Sequence, residues 1–221
     1  KLDTGMHRLG FNEHETDSLA GFLREHENLE VKTVFSHLAA ADQPEHDDFT
    51  RQQISLFDTV SDRLRNALGY RIKRHLLNSA GMERFPEAQY DMVRLGIGLY
   101  GISTLKQHQL RNVSTLKSTI LQIRNVLSGE SVGYGRDDVA AVDRRIGIVP
   151  IGYADGINRR LGNGKGRFLV NNTKVPVTGN ICMDMCFIDV TSIDAEEGDE
   201  VIIFGEQMPV WKMSELLDLS L

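Results

Sequence analysis

The chain has 221 residues, 41% hydrophobic and 25% charged, with a net charge of −6. This composition describes a soluble globular protein with one large or two smaller domains, and its acidic balance points away from nucleic acid and anionic membranes as partners. No apolar run reaches membrane-spanning length and no signal-peptide apolar region opens the chain, so a cytoplasmic setting is expected.

Residues 1–105 alternate short apolar strands with helical stretches. Lys1-Leu2-Asp3 reads as a strand end, followed by a polar turn from Thr4 to Arg8. Leu19, Phe22 and Leu23 at helical spacing predict a helix over 16–26. A strand over 31–35 runs into His37, and a long helix over 47–68 places Phe49, Ile54, Phe57, Val60 and Leu64 on one side. Strands over 74–77 and 92–95 follow, the first ending in Asn78-Ser79 and the second in Gly96. Each strand therefore finishes in residues with chemistry, as parallel strands do on the active face of a (β/α)8 barrel, and four strands make about half of one.

From about residue 112 the pattern changes. Strand-like segments over 116–126, 145–151, 167–170, 175–177, 181–190 and 200–204 are separated by Gly, Asn and Asp. They predict an antiparallel β domain, with a helix only from Trp211. The expected division is a partial (β/α)8 TIM-type barrel over 1–111 and a C-terminal β domain over 112–221, with residues 106–112 as the polar joint. Lys1 opens directly into a motif, and the final WKMSELLDLSL begins an amphipathic helix without a cap, so the chain reads as the middle of something longer.

Several residues carry chemistry on their own terms. Tyr134 stands between two glycines, which let the backbone turn sharply and project a phenol; it is either an acid/base or an aromatic plug at a strand corner. Ser79 with the N–H groups around Gly96 and Ile97 forms either a phosphate cradle or a helix cap followed by a turn. His37 is either a ring that stacks on a flat ligand or a core histidine. Arg94 lies inside an apolar strand, so its guanidinium needs an acidic partner or a ligand nitrogen. Arg8 either pairs with Asp3 or anchors a carboxylate or phenolate.

Tyr153 ends an apolar run as a second exposed Gly-Tyr. Met183 and Asp184 fall in a strand and face opposite ways. Arg144, Arg145, Arg159 and Arg160 read as solvated charge. Cys182 and Cys186 lie four apart on one strand face without further metal ligands, so reduced buried thiols are expected and no metal site is.

The blocks KLDTGMHRLGF, VFSHLAAAD, HLLNSAG, VRLGIGLYG, SVGYGR, VPIGYADG and GNICMDMCFIDV occur in this order. Together they closely resemble the alanine racemases, the pyridoxal 5'-phosphate enzymes of fold type III, over nearly all of the chain. The form they resemble most is the Bacteroidetes-type one, often fused to a cell-wall ligase. The resemblance implies interconversion of L-alanine and D-alanine for peptidoglycan through a cofactor external aldimine, with two bases and with active sites shared in a homodimer.

By that resemblance Tyr134 is the catalytic tyrosine, and Arg94 sits at the pyridine nitrogen. His37 and His75 are the histidines around the cofactor, and Ser79, Gly96 and Ile97 are the phosphate contacts. Arg8 contacts the cofactor phenolate and the substrate carboxylate, and Lys1 matches a lysine that is often carbamylated and orients that arginine. Met183, with Asp184 beside it, is a contact at the substrate carboxylate, and Tyr153 lines the substrate's path of access. The segment with the imine lysine and the C-terminal block with a phosphate-binding tyrosine do not occur in these residues, so this polypeptide alone is expected to be inactive. Completing the barrel would take about 130 upstream residues. A decarboxylase would place an acid where Arg94 stands. A broad-specificity amino-acid racemase and a non-catalytic binding or assembly module are the alternatives.

Overall fold

A computed structural model describes residues 1–103, 105 and 110–219. The chain divides into two compact units, Lys1–Arg111 and Asn112–Leu221. Of the polar joint expected over 106–112, residues 106–109 lie outside the described residues.

In the first unit two short strands, β1 (Thr33–Phe35) and β2 (Lys73–His75), pair in parallel. The chain start lies beside β1, where the Leu2 N–H donates to the Phe35 carbonyl at 2.8 Å. Met92 makes a single parallel bridge to His75 on the far side of β2. Helices α1 (Thr16–Glu25), α2 (Asp47–Leu68) and α3 (Ser79–Arg84) fill the intervals between these four segments. This is the strand–helix rhythm of a (β/α)8 barrel, of which the unit is a part.

The strand expected over 92–95 reduces to that one bridge. Backbone bonds from Asp91 to Arg74 (3.1 Å) and from Arg94 to Leu77 (3.0 Å) do run along β2, but they are too sparse to make a ladder.

Apolar spacing decides which helix face is buried. In α2, Phe57, Val60, Ser61 and Leu64 recur at three- and four-residue steps, and all are buried. Gly69 ends the helix in the left-handed conformation (φ 73°), its N–H donating to the Arg65 carbonyl at 3.0 Å. Phe22 and Phe49, expected on the inner faces of α1 and α2, are instead 49% and 39% exposed. Ala20 in α1 and Thr50 in α2 take the buried positions.

The second unit is built on a seven-stranded antiparallel sheet. Its strands are β3 (Leu116–Thr119), β4 (Gln122–Val126), β7 (Arg144–Val149), β8 (Arg167–Val170), β9 (Thr173–Thr178), β10 (Cys186–Asp189) and β11 (Glu200–Phe204). The order is β3-β11-β8-β9-β10-β7-β4. A small hairpin, β5 (Ser131–Val132) with β6 (Asp138–Val139), and a helix, α4 (Val210–Leu217), complete it.

The single strand expected over 116–126 is two strands, and they stand at opposite ends of this order. Only Ile120 and Leu121 separate them. The Ile120 N–H donates to Asp199 and the Leu121 N–H to Ile148, so the chain steps from one margin to the other and the sheet curls almost shut.

The strand expected over 181–190 is also shorter, beginning only at Cys186. Ahead of it the Cys182 and Met183 carbonyls are taken by the N–H groups of Tyr153 and Ala154 (3.0 and 2.9 Å), which hold that stretch as a loop. Both cysteines are free and buried, and burial pushes the Cys186 thiol up to about 12, so neither is a ready nucleophile.

Arg144 and Arg145 are not solvated charge. Arg144 pairs with Asp138 at 2.9 Å, and Arg145 donates to the carbonyls of Ile193 and Ala195. Among the described residues no helix is long and apolar enough to cross a membrane.

Phe168 is fully buried in the core of the second unit. Phe168→Ala is expected to cost about 3–5 kcal/mol, read as a lower urea midpoint at unchanged slope. A loss below about 1 kcal/mol would mean that the curled sheet is loosely packed there.

Candidate functional site

In the first unit the ends of β1 and β2 converge on Arg94. One terminal nitrogen, Nη1, donates to Nδ1 of His75 (2.6 Å) and to the His75 carbonyl (3.2 Å). The other, Nη2, donates to the carbonyls of Ser36 (2.6 Å) and Leu76 (3.0 Å) and lies 3.2 Å from Nδ1 of His37. No carboxylate is among these partners, so of the two matches expected for Arg94, an acidic partner or a ligand nitrogen, the acidic one is replaced by neutral carbonyls and imidazoles. Among the described residues the Nε–H of Arg94 has no partner. The Phe35 ring lies 5.2 Å from the guanidinium carbon and stacks on His75.

This geometry fixes the state of both histidines. Burial, followed by the neighbouring Arg94 charge, holds the His75 and His37 imidazoles below the ordinary histidine range. Neutral imidazoles can accept from a guanidinium; imidazolium ions cannot.

Gln53 of α2 fixes the loop after β1. It accepts from the Ala39 N–H (3.0 Å) and donates to the His37 carbonyl (3.2 Å), while Thr4 and Ser36 share a hydrogen bond of 2.8 Å beneath it. Sequence reasoning did not single out Gln53. A polar residue on the buried side of α2 was the available signal.

Asn78 caps α3, its side chain accepting from the Gly81 N–H at 2.9 Å, as the cap reading of Asn-Ser requires. Ser79 does something else. Its Oγ accepts from both Gly96 N–H (3.0 Å) and Gly98 N–H (3.1 Å), so two backbone donors converge on one oxygen. Gly98 is thus the second donor to Oγ, and Ile97 begins the 3-10 turn Ile97–Tyr100. The Gly-Ile-Gly spacing was the signal for Gly98. A cavity of about 270 Å³ opens here, lined by Ser79, Met82, Glu83, Leu95, Gly98, Ser103 and Leu110.

Arg8 is exposed, and Asp3 pairs with His7 (3.3 Å) rather than with it. The Arg8 charge nonetheless contributes to holding down His37. The Lys1 ammonium donates to the Leu9 carbonyl.

In the second unit Tyr134 is 73% exposed in the turn Tyr134–Arg136, between Gly133 (φ 75°) and Gly135 (φ 79°). Its position is a projecting one, not a packed plug. Asn180 donates from Nδ2 to the Tyr134 carbonyl (2.8 Å) and to Asp137 Oδ2 (2.7 Å). Tyr153 opens the turn Tyr153–Asp155, and the bonds from Tyr153 to Cys182 and from Ala154 to Met183 tie it to the loop after β9. Gly152 is required there, because a Cβ would lie 2.4 Å from both the Cys182 and Met183 carbonyl oxygens. Met183 and Asp184 are exposed on that loop, not alternating along a strand. Arg159 stacks over the Tyr153 ring at 5.3 Å. The loop after β9 thus gathers Tyr134, Tyr153, Met183 and Asp184 within this unit.

Comparison with known proteins bears on both units. The family model described as the alanine racemase N-terminal domain matches residues 1–104, and that of the alanine racemase C-terminal domain matches residues 113–220. An alanine racemase from Syntrophobacter fumaroxidans is 38% identical over 212 residues, covering 94% of this chain and 56% of that protein. One from Helicobacter pylori is 36% identical over 218 residues, covering 94% and 57%. The crystal structure of an alanine racemase from Bartonella henselae with covalently bound pyridoxal phosphate superposes with a TM-score of 0.80 at 31% identity, covering 98% of this chain and 60% of that one. One from E. faecalis gives a TM-score of 0.85 at 29% identity, covering 98% and 59%. The chain therefore spans less than two thirds of the length of these relatives.

The Arg94 cluster makes its histidines sensitive to acid. Their folded-state values are depressed, so the stability they confer is complete above about pH 6.5 and is lost as pH falls through those values. Titration by NMR is expected to show both rings protonating below about 6.5, and Arg94→Met should move both upward. Unmoved midpoints in that variant would mean that the guanidinium charge does not reach them.

Proposed function

Because this chain belongs to the alanine racemase family, we propose that it supplies the greater part of a pyridoxal 5'-phosphate-dependent enzyme that interconverts L- and D-alanine, with residues 1–111 serving as cofactor-binding unit and residues 112–221 presenting the tyrosines. The observation that carries this reading is the coordination of Arg94. Both terminal nitrogens are spent on neutral acceptors, leaving one N–H on a permanent cation.

These residues suit the cofactor. Arg94 would face its ring nitrogen, His37 and His75 would lie near the ring, and Ser79, Gly96 and Ile97 would hold its phosphate. When bound, the cofactor supplies an electron sink for charge developing at the substrate Cα.

The chain's own residues do the rest. Arg94 offers a hydrogen bond but does not surrender its proton, which keeps the sink weak and favours return of a proton to Cα over longer-lived side chemistry. Tyr134 holds or takes the α-proton on one face, its exposed phenol suited to reach a neighbouring subunit's site in a homodimer. Arg8, oriented by Lys1, and the Met183–Asp184 loop position the alanine carboxylate, and Tyr153 borders its approach. The opposite face needs an amine from a lysine in sequence other than these 221 residues, and a fused ligase would be a further partner. The setting is the cytoplasm, and the D-alanine serves cell-wall synthesis.

In the native-length protein, Tyr134→Phe is expected to slow α-proton loss from L-alanine by about 10²- to 10⁴-fold while sparing loss from D-alanine. Deuterium exchange at Cα, followed by NMR from each enantiomer, reads this directly, and equal losses would remove Tyr134 from the role. The 221-residue polypeptide alone, given pyridoxal phosphate and L-alanine, is expected to form no D-alanine.

A further inference from the structure

The Tyr134 side chain projects from the surface. It is 73% exposed, and among the described residues its hydroxyl has no hydrogen-bond partner, so its aim is set by the backbone that carries it. That backbone is a two-glycine turn with both flanking φ values positive, a geometry that confers freedom as readily as direction.

Its restraint at the tyrosine itself comes from an amide, beside a bond from Arg136 Nε to the Ser131 hydroxyl (3.3 Å) at the turn's end. Both N–H groups of Asn180 Nδ2 are spent on the turn, on the Tyr134 carbonyl (2.8 Å) and on Asp137 Oδ2 (2.7 Å). Asn180 Oδ1 accepts from Asn163 Nδ2 at 2.9 Å, which fixes which way the amide faces. The segment before Asn180 is itself pinned, because Asp138 accepts from the Gly179 N–H (2.9 Å), from the Thr178 hydroxyl and from Arg144. Burial pushes the Asp138 carboxyl up, but these donors outweigh it and leave it below the ordinary carboxylate range. Gly133 lies close to Asn180 as well: a Cβ there would lie 3.1 Å from the Phe187 ring and 3.5 Å from the Asn180 backbone.

We propose that Asn180 is the positioning residue for Tyr134, converting a flexible Gly-Tyr-Gly turn into a fixed platform by holding the tyrosine's own carbonyl. The inference rests on the acid/base reading of Tyr134, but the clamp can be tested without it. Asn180→Ala removes both donors. Asn163→Asp leaves Asn180 intact but sets a carboxylate against Oδ1, which favours a flipped amide whose oxygen faces the Tyr134 carbonyl. Asp tolerates the left-handed backbone at position 163 (φ 53°).

Hydrogen exchange on the native-length protein is expected to rise about tenfold over residues 133–137 in both variants, with β7, β9 and β10 unchanged. α-Proton loss from L-alanine should fall about tenfold and that from D-alanine less than about twofold, because misdirecting one base slows one face only. Unchanged exchange over 133–137 in Asn180→Ala would overturn the clamp. Faster exchange with equal losses from both enantiomers would mean that Asn180 serves stability alone and would overturn the positioning role. If Tyr134→Phe also fails to distinguish the enantiomers, the reading of Tyr134 falls and the proposal with it, even though the clamp is physically present. Should Asn180→Ala not fold, Asn163→Asp carries the same decision.

Discussion

A cation held by neutral acceptors organises the first unit. Burying a guanidinium costs several kcal/mol unless its donors are matched, and the ordinary match is a carboxylate. Arg94 is matched instead by three carbonyls and two imidazoles from the ends of β1 and β2. Hydrogen bonds to a charged donor contribute about 1.5–3 kcal/mol each, enough to fasten two strand ends and the segment at residue 94 into one geometry without cancelling the charge. Two consequences follow from the same contacts. Both histidines stay neutral, and the positive charge remains available through Nε.

The second unit solves a different problem, that of fixing mobile loops to a rigid sheet. Here the restraints are a half-buried carboxylate, Asp138 against Arg144, and backbone stitches from the Gly152 turn to the Cys182–Met183 carbonyls. Rigid β7, β9 and β10 give these loops their anchor, so exposed tyrosines can keep definite positions at the end of a β scaffold. Gly152 shows how tight the arrangement is, since even one methyl group would collide with two carbonyl oxygens.

The legible features were those with local causes. The periodic burial along α2 and its glycine stop follow from residues a few positions apart, and the alternation in β9 and β11 follows from period two. The split of 116–126 was not legible, because Ile120 and Leu121 look like strand residues and only closure of the sheet makes them a corner. The loop at 182–185 was missed for a similar reason: its carbonyls are claimed by residues about thirty positions earlier, and alternation in Ile-Cys-Met-Asp-Met carries no sign of that. In the candidate site, the demand that Arg94 be matched was readable from burial. The identity of its partners was not, since they lie 18 to 58 positions away. Asn180 and Asp138 left no mark because the groups they bond lie up to 46 positions away.

The curl of the β sheet constrains the order of events in folding. Among the described residues its first strand, β3, has β11 as its only neighbour in the sheet, and the ion pair between Lys117 and Glu200 spans 83 positions. A growing chain therefore carries β3 without a mate until nearly the whole unit has been made, while the β8–β9 hairpin can zip early. Long-range closure of this kind is slow and leaves an unsatisfied ribbon waiting. The alternating Lys117 and Thr119, both solvent-facing, keep that waiting ribbon polar on one side and unattractive to other nascent chains.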